Sequence, residues 1–141
     1  MSEEAKTNHV ESLGIQFKEG LPGFEAYKTF VLIEDESNKP FGTLQSTEQE
    51  AVQFVVVDPF QLFNDYEFDL AETACEDLQI SQEEELLIRS IISVRGETGE
   101  ASVNLVAPIV VNRAKRVGRQ VILTNTQYST RHRLFESSEG R

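Results

Sequence analysis

The chain has no tryptophan, one cysteine, one methionine and two histidines among its 141 residues, and each scarcity closes off a kind of chemistry. Cys75 alone supports neither an internal disulfide framework nor a multi-cysteine metal site within one chain. A reducing compartment, the cytoplasm, is the simplest expectation. No apolar run approaches the ~20 residues of a membrane span, and "MSEEAKTNHVES" lacks the basic and apolar regions of a signal peptide. His9 stands in this polar leading stretch. His132 lies between Arg131 and Arg133, which disfavour a bound cation, and neither histidine has an HxH or HExxH context. Phosphate-binding GxGxxG and GxxxxGK[ST] loops and the GxSxG nucleophile elbow are also missing. The expectation is no metal, no cofactor and no enzyme.

What the chain does have is acid. Its formal net charge is −11, unevenly spread. Residues 1–100 carry 22 acids and 6 bases, whereas residues 101–141 carry 7 bases and 2 acids. Such a field repels nucleic acid and anionic lipid and attracts basic partners, so direct nucleic-acid binding and membrane binding are not expected. Acidity also simply keeps a small protein in solution. A chain of this length is one domain, and 39% hydrophobic residues can supply its core.

Periodicity points to strands. Residues 1–12 form a loose tail without a pattern. From Leu13, alternation puts Leu13, Ile15 and Phe17 on one face of a half-buried strand. "GLPGFE" follows, with Pro22 and Gly23 suited to a type II turn over Leu21 to Phe24. "FVLIEDE" is a core strand running out to solvent, "NKPFG" a turn, and Thr43 to Ser46 the start of another strand. "FVVV" is strand again, ended by Asp58-Pro59 because proline has no N–H for a ladder. In residues 66–70, Tyr66, Phe68 and Leu70 alternate with Glu67 and Asp69, the pattern of a strand with an acidic outer side.

Ala71, Ala74, Cys75 and Leu78 then repeat at helical spacing, with Glu72, Glu76 and Asp77 turned to water. Ser81 and Glu84 have capping-box spacing, which suits a brief turn before strand-like residues. "LLIRSIISVR" is the longest strand, with Leu86, Ile88, Ile92 and Val94 on a face interrupted by Ser90. "GETGEA" is a hairpin-type loop, "SVNLVAPIVVN" two strands hinged at Pro108, "RAKRVGR" a basic loop closed by Gly118, and "QVILT" a buried strand. Tyr128 and Leu134 anchor the trailing end. The architecture expected is mainly β: a single-domain, barrel-like closed sheet of about eight or nine short strands with one or two short helices. It spans residues 13–134, between tails 1–12 and 135–141.

"FVVVDPFQLFNDYEFDL" concentrates five of the twelve aromatic rings among three aspartates and one glutamate. One reading is a pocket, a small-molecule-binding barrel or enzyme using Asp58, Asp65 or His132. Both aspartates, however, occupy turn-forming positions, and carboxylates out in water make poor general acids. Cys75 suits packing as a small hydrophobe better than a nucleophile's role. The basic loop Arg113, Lys115, Arg116 and Arg119 lacks the interleaved aromatics of a nucleic-acid site. A solvated hairpin tip, pairing with the acidic half, describes it better. The other reading of the aromatic stretch is a protein-binding surface. Its carboxylates would be Glu67, Asp69, Glu72, Glu76 and Asp77, and its exposed anchors Phe60 and Phe63, because rim charges steer more than they hold.

Taken in order, "GLPGFE", "TLQS", "FVVVDPF", "YEFDL", "NLVAPIVVN" and "RQVIL" resemble the FliW flagellar assembly factor family from about Leu13 to Leu134. The resemblance implies a noncatalytic, β-barrel-like protein of the bacterial cytoplasm that exchanges two partners. One is flagellin, held before export. The other is the RNA-binding translational repressor CsrA, which the free factor takes from the flagellin message. Binding to CsrA is implied to be allosteric, beside the RNA surface, with the factor's negative charge helping to expel the RNA. A protein that ejects a polyanion from a basic dimer gains from a negative field of its own.

Overall fold

The computed structural model describes residues 10–81, 86–94, 96, 99–124 and 126–133. Nine strands lie among them: β1 (Val10–Gln16), β2 (Thr29–Asp35), β3 (Phe41–Ser46), β4 (Gln53–Val57), β5 (Leu86–Val94), β6 (Ala101–Val103), β7 (Ile109–Asn112), β8 (Val117–Gln120) and β9 (His132–Arg133). Two short helices, α1 (Pro59–Leu62) and α2 (Glu72–Asp77), fall between β4 and β5. Among the described residues no helix is long and apolar enough to cross a membrane.

Strands β1 to β4 form an antiparallel meander, and β4 also pairs with β5. The sheet therefore closes in the order β4-β3-β2-β1-β8-β7-β5, while β6 and β9 extend from the far half of β5. Closure is narrow on one side. Strands β1 and β8 run parallel and meet in the single register pair Gln16↔Val117, with the Gln16 N–H donating to the Arg116 carbonyl at 2.9 Å. Gly118 lets the seam close: a Cβ there would lie 3.0 Å from both Ile15 Cγ2 and Phe17 Cε2.

Alternation sorts the apolar residues into two cores, one on each side of the barrel wall. Ile15, Phe17, Phe30, Leu32, Leu44, Val56, Ile109 and Val111 fill the inside. Phe17 and Phe30 meet edge to face at 5.5 Å. Outside the wall, Val57, Val103, Leu105 and Val110 pack against Tyr66, Ala74, Leu78, Val121 and Leu123 from the covering segments. Long strand β5 serves both cores. Leu87 and Ile91 face in, Leu86, Ile88 and Ile92 face out, and Ser90 sits fully buried between them opposite Val57.

One end of the interior is closed by charge. Glu34 follows Phe30 and Leu32 on the inward face of β2 and is only 8% exposed. Its Oε2 accepts from Arg89 Nε at 2.5 Å and its Oε1 from Arg89 Nη2 at 3.0 Å. Arg89 Nη1 donates to the Ile88 carbonyl at 2.7 Å and lies 3.8 Å from Asp58 Oδ2. Gly42 makes room, since a Cβ there would come within 2.8 Å of Glu34 Cγ.

Four expectations need correcting. "FVLIEDE" does not run straight out to solvent, because Glu34 turns inward to meet Arg89. Residues 66–70 form no strand: they are extended, but the Tyr128 hydroxyl replaces a ladder partner by accepting from the Glu67 N–H at 3.0 Å and donating to its carbonyl at 3.1 Å. The last long strand is "VGRQ" rather than "QVILT", so Gly118 and Arg119 belong to β8 and not to the preceding loop. Beyond it Val121 and Leu123 are buried while Ile122 is 71% exposed, an alternation kept without a ladder. Strand β1 begins at Val10, earlier than the alternation suggested. The Ser81–Glu84 capping box, Leu134 as an anchor and residues 97–98 of "GETGEA" involve positions outside the described residues.

The ion pair makes a stability prediction. Removing one partner of a buried pair strands the other charge, at a cost of roughly 3–5 kcal/mol. Arg89→Ala should lower the urea midpoint accordingly. The double variant Glu34→Leu/Arg89→Met should recover most of the loss; equal destabilisation by both would mean that packing, not charge, decides the effect.

A candidate partner-binding groove

The Asp58-Pro59 pair both stops β4 and starts α1. The Asp58 carboxylate accepts from the Phe60 N–H at 3.1 Å, an N-cap, with Pro59 at the first helical position where its missing N–H costs nothing. Because Asp58 also faces Arg89, the start of α1 is held against the charged end of the barrel. Phe60 is thereby set on the surface, 40% exposed. Its ring stacks on Phe68 at 6.4 Å and lies 5.3 Å from Tyr66. Tyr66 is buried, donates its hydroxyl to the Leu105 carbonyl at 2.7 Å, and meets Tyr128 edge to face at 4.7 Å.

Beside Phe60 lies an open groove of about 560 Å³ with an apolar floor of Phe68, Leu70, Cys75, Ile80, Leu86 and Ile88. Glu67 and Asp69 stand on its rim, both exposed. They also border a second, more polar depression with Leu123, Thr124 and Thr126, so the two carboxylates form a ridge between two hollows. Helix α2 flanks the groove. It buries Ala74 and Leu78, gives half-buried Cys75 to the floor, and leaves Glu72, Glu76 and Asp77 exposed.

The expected site residues thus divide. Phe60, Glu67 and Asp69 come together at the groove, and Glu72 and Glu76 share its helical flank. Asp77 turns elsewhere, to an ion pair with Arg119 of β8; the other three cations of the expected basic loop make no such pair among the described residues. Phe63 is half-buried and packs edge-on to His132 at 4.8 Å, within the outer core and not as a free anchor. The three groups considered for a reaction centre have other occupations. Asp58 caps α1 and faces Arg89, Asp65 lies exposed in a turn, and His132 sits in β9 against Phe63. Among the described residues no three histidine, cysteine or carboxylate side chains gather as a metal site.

Sequence reasoning missed the floor contributed by Leu86, Ile88 and Ile80, and the two tyrosines that brace the rim. A signal for the tyrosines existed: each is an aromatic residue with a hydroxyl, and a phenol placed in a core needs a hydrogen-bond partner. Burial, with Tyr128 nearby as a secondary cause, raises the Tyr66 phenol well above its ordinary value of 10.0. The folded state favours the neutral form. Its contribution to stability is therefore fully present below pH 10.0 and is lost as pH rises through the higher folded value. Tyrosinate absorbance should show one phenol resisting ionisation until the protein unfolds in alkali. Tyr66→Phe should remove that step; its persistence in the variant would reassign it.

The comparisons with known proteins are consistent in one direction. A family model described as FliW protein matches residues 2–134. The flagellar assembly factor FliW of Geobacillus thermodenitrificans strain NG80-2 is 46% identical over 121 residues, covering 86% of this chain and 83% of that protein. That of Desulfitobacterium hafniense strain Y51 is 42% identical over 126 residues, covering 89% and 83%. A crystal structure of a flagellar assembly factor FliW aligns with a TM-score of 0.80 at 44% identity, covering 88% of this chain and 86% of that one.

Proposed function

This chain belongs to the FliW family of flagellar assembly factors, and from that premise we propose that it is a noncatalytic, cytoplasmic partner-switching regulator. It holds flagellin before export. When secretion drains flagellin, the freed protein binds CsrA, displaces the flagellin message and relieves translational repression.

One observation carries this reading: an exposed phenylalanine beside an apolar groove whose rim and flank bear only carboxylates among the expected site residues, Glu67, Asp69, Glu72 and Glu76. An aromatic anchor over an apolar floor supplies affinity, because hot spots are large apolar groups seated in desolvated pockets. Rim carboxylates supply orientation and encounter rate toward a basic partner. The same negative potential opposes a polyanion held by that partner. CsrA, a small RNA-binding dimer, fits this chemistry, and we assign it to the groove.

Purified chain should co-elute separately with flagellin and with CsrA, and should release RNA from CsrA already loaded with it. Glu67→Lys/Asp69→Lys should slow association with CsrA and flatten its salt dependence. Phe60→Ala should weaken binding about tenfold, or ~1.4 kcal/mol, mainly through faster dissociation. Unchanged CsrA affinity in both variants would remove the groove from the mechanism. Retention of RNA by this chain alone would replace the regulator reading with direct nucleic-acid binding.

A further inference from the structure

The narrow seam of the barrel leaves backbone unpaired. Just past β1 the Phe17 N–H points to the β2 side, donating to the Lys28 carbonyl at 2.7 Å, while the Gln16 N–H at the end of β1 points the other way, to Arg116. By the alternation of a strand, the N–H and C=O groups of Val10, Ser12 and Gly14 face the β8 side with Gln16. Yet β8 meets β1 only at Gln16↔Val117, and among the described residues no strand lies along Val10–Ile15 on that side. Val10, Glu11 and Ser12 are exposed. Among the described residues, a stretch of strand edge is therefore without a ladder partner. Such an edge is a template for another strand unless it is covered or blocked, and β1 carries no proline and no lysine to block it.

The free edge ends at the basic cluster that the groove does not use. The β7–β8 hairpin tip presents Arg113, Lys115 and Arg116, all exposed and without an ion pair among the described residues. The tip is built rather than merely solvated. Asn112 is fully buried, and its Oδ1 accepts from the Ala114 and Lys115 N–H groups at 3.0 and 3.1 Å. Three cations on a rigid tip, in a protein of net charge −11, sit where an added strand would begin. Screening over ~8 Å at physiological salt lets them outweigh the distant acids.

We propose that the β1 edge and the β7–β8 tip together form a second docking site, which takes an extended acidic segment of a partner protein by strand addition. Pairing is antiparallel, the slightly more stable arrangement. The segment's N-terminal acids then meet Arg113, Lys115 and Arg116, and its following residues hydrogen-bond to Ser12 and Gly14. The site is independent of the groove, on a different edge of the barrel and of opposite charge.

The test uses the full chain and a fluorescein-labelled peptide, Glu-Glu-Val-Thr-Val-Thr-Val, with Lys-Lys-Val-Thr-Val-Thr-Val as its counterpart. The acidic peptide should bind at least about tenfold more tightly by anisotropy, and its affinity should fall with salt. Ser12→Pro removes one edge N–H while leaving the β2 ladder untouched, and should weaken binding about tenfold. Arg113→Glu/Lys115→Glu should do the same. A measurement without substitutions guards against a misfolded variant: peptide should slow hydrogen exchange at the Ser12 and Gly14 amides. Equal binding of both peptides, unchanged binding by a folded Ser12→Pro chain, or no added protection at those two amides would overturn the proposal. So would peptide binding that is lost with Phe60→Ala, or a tip that exchanges the acidic peptide for a single-stranded RNA oligonucleotide with no help from the edge.

Discussion

Where β4, β5 and β7 meet, at Val56–Val57, Ser90 and Ile109–Asn112, the wall is buried on both faces, and most of the molecule follows from that. Val56 and Val57 are neighbours in sequence and both fully buried, one in each core. Val110 and Val111 divide in the same way. A closed barrel needs only its inside filled. Here the outside of this wall is apolar as well, so a second layer must cover it. The connection carrying α1 and α2, the segment after β6 and the segment after β8 form that cover. The groove opens where the cover stops short of Leu86 and Ile88. Binding surface and barrel wall are therefore one feature seen from two sides.

Charge inside the barrel sets the position of that surface. Arg89 shares a strand face with Leu87 and Ile91, a costly place for a guanidinium unless it is paired. Glu34 supplies the pair and Gly42 the space. Asp58, the third member, also caps the helix that carries Phe60. The exposed ring thus inherits its position from Asp58, two residues away in sequence, which ties it to the buried ion pair. That arrangement lowers the disorder a partner would otherwise have to remove.

Much of this was readable from the residues, and the failures have physical causes. Alternation located β1 and β5, apolar or β-branched runs bounded by turns located β2 to β4, and the Pro108 hinge separated β6 from β7, because each of these signals is local to its own segment. Exposure of Glu67, Asp69, Glu72, Glu76 and Asp77 was likewise a matter of local period. What period cannot report is who supplies the other half of a hydrogen bond. Residues 66–70 alternate like a strand but are braced by Tyr128, which is 61 residues from Glu67. Glu34 looked like the wet end of a strand because its partner lies 55 residues away. Phe63 and Phe60 are equivalent by composition; the packing of His132 against Phe63 tells the half-buried ring from the exposed one.

Asn112 joins two regions of opposite sign. Its side-chain oxygen holds the basic tip, and its nitrogen donates to the Leu78 and Gln79 carbonyls at 2.8 and 3.1 Å, where α2 ends. With the Arg119–Asp77 contact alongside, the end of the acidic helix and the cationic turn behave as a single clamped body. Neither can swing without the other unless a sealed amide gives up its bonds in a place water does not reach.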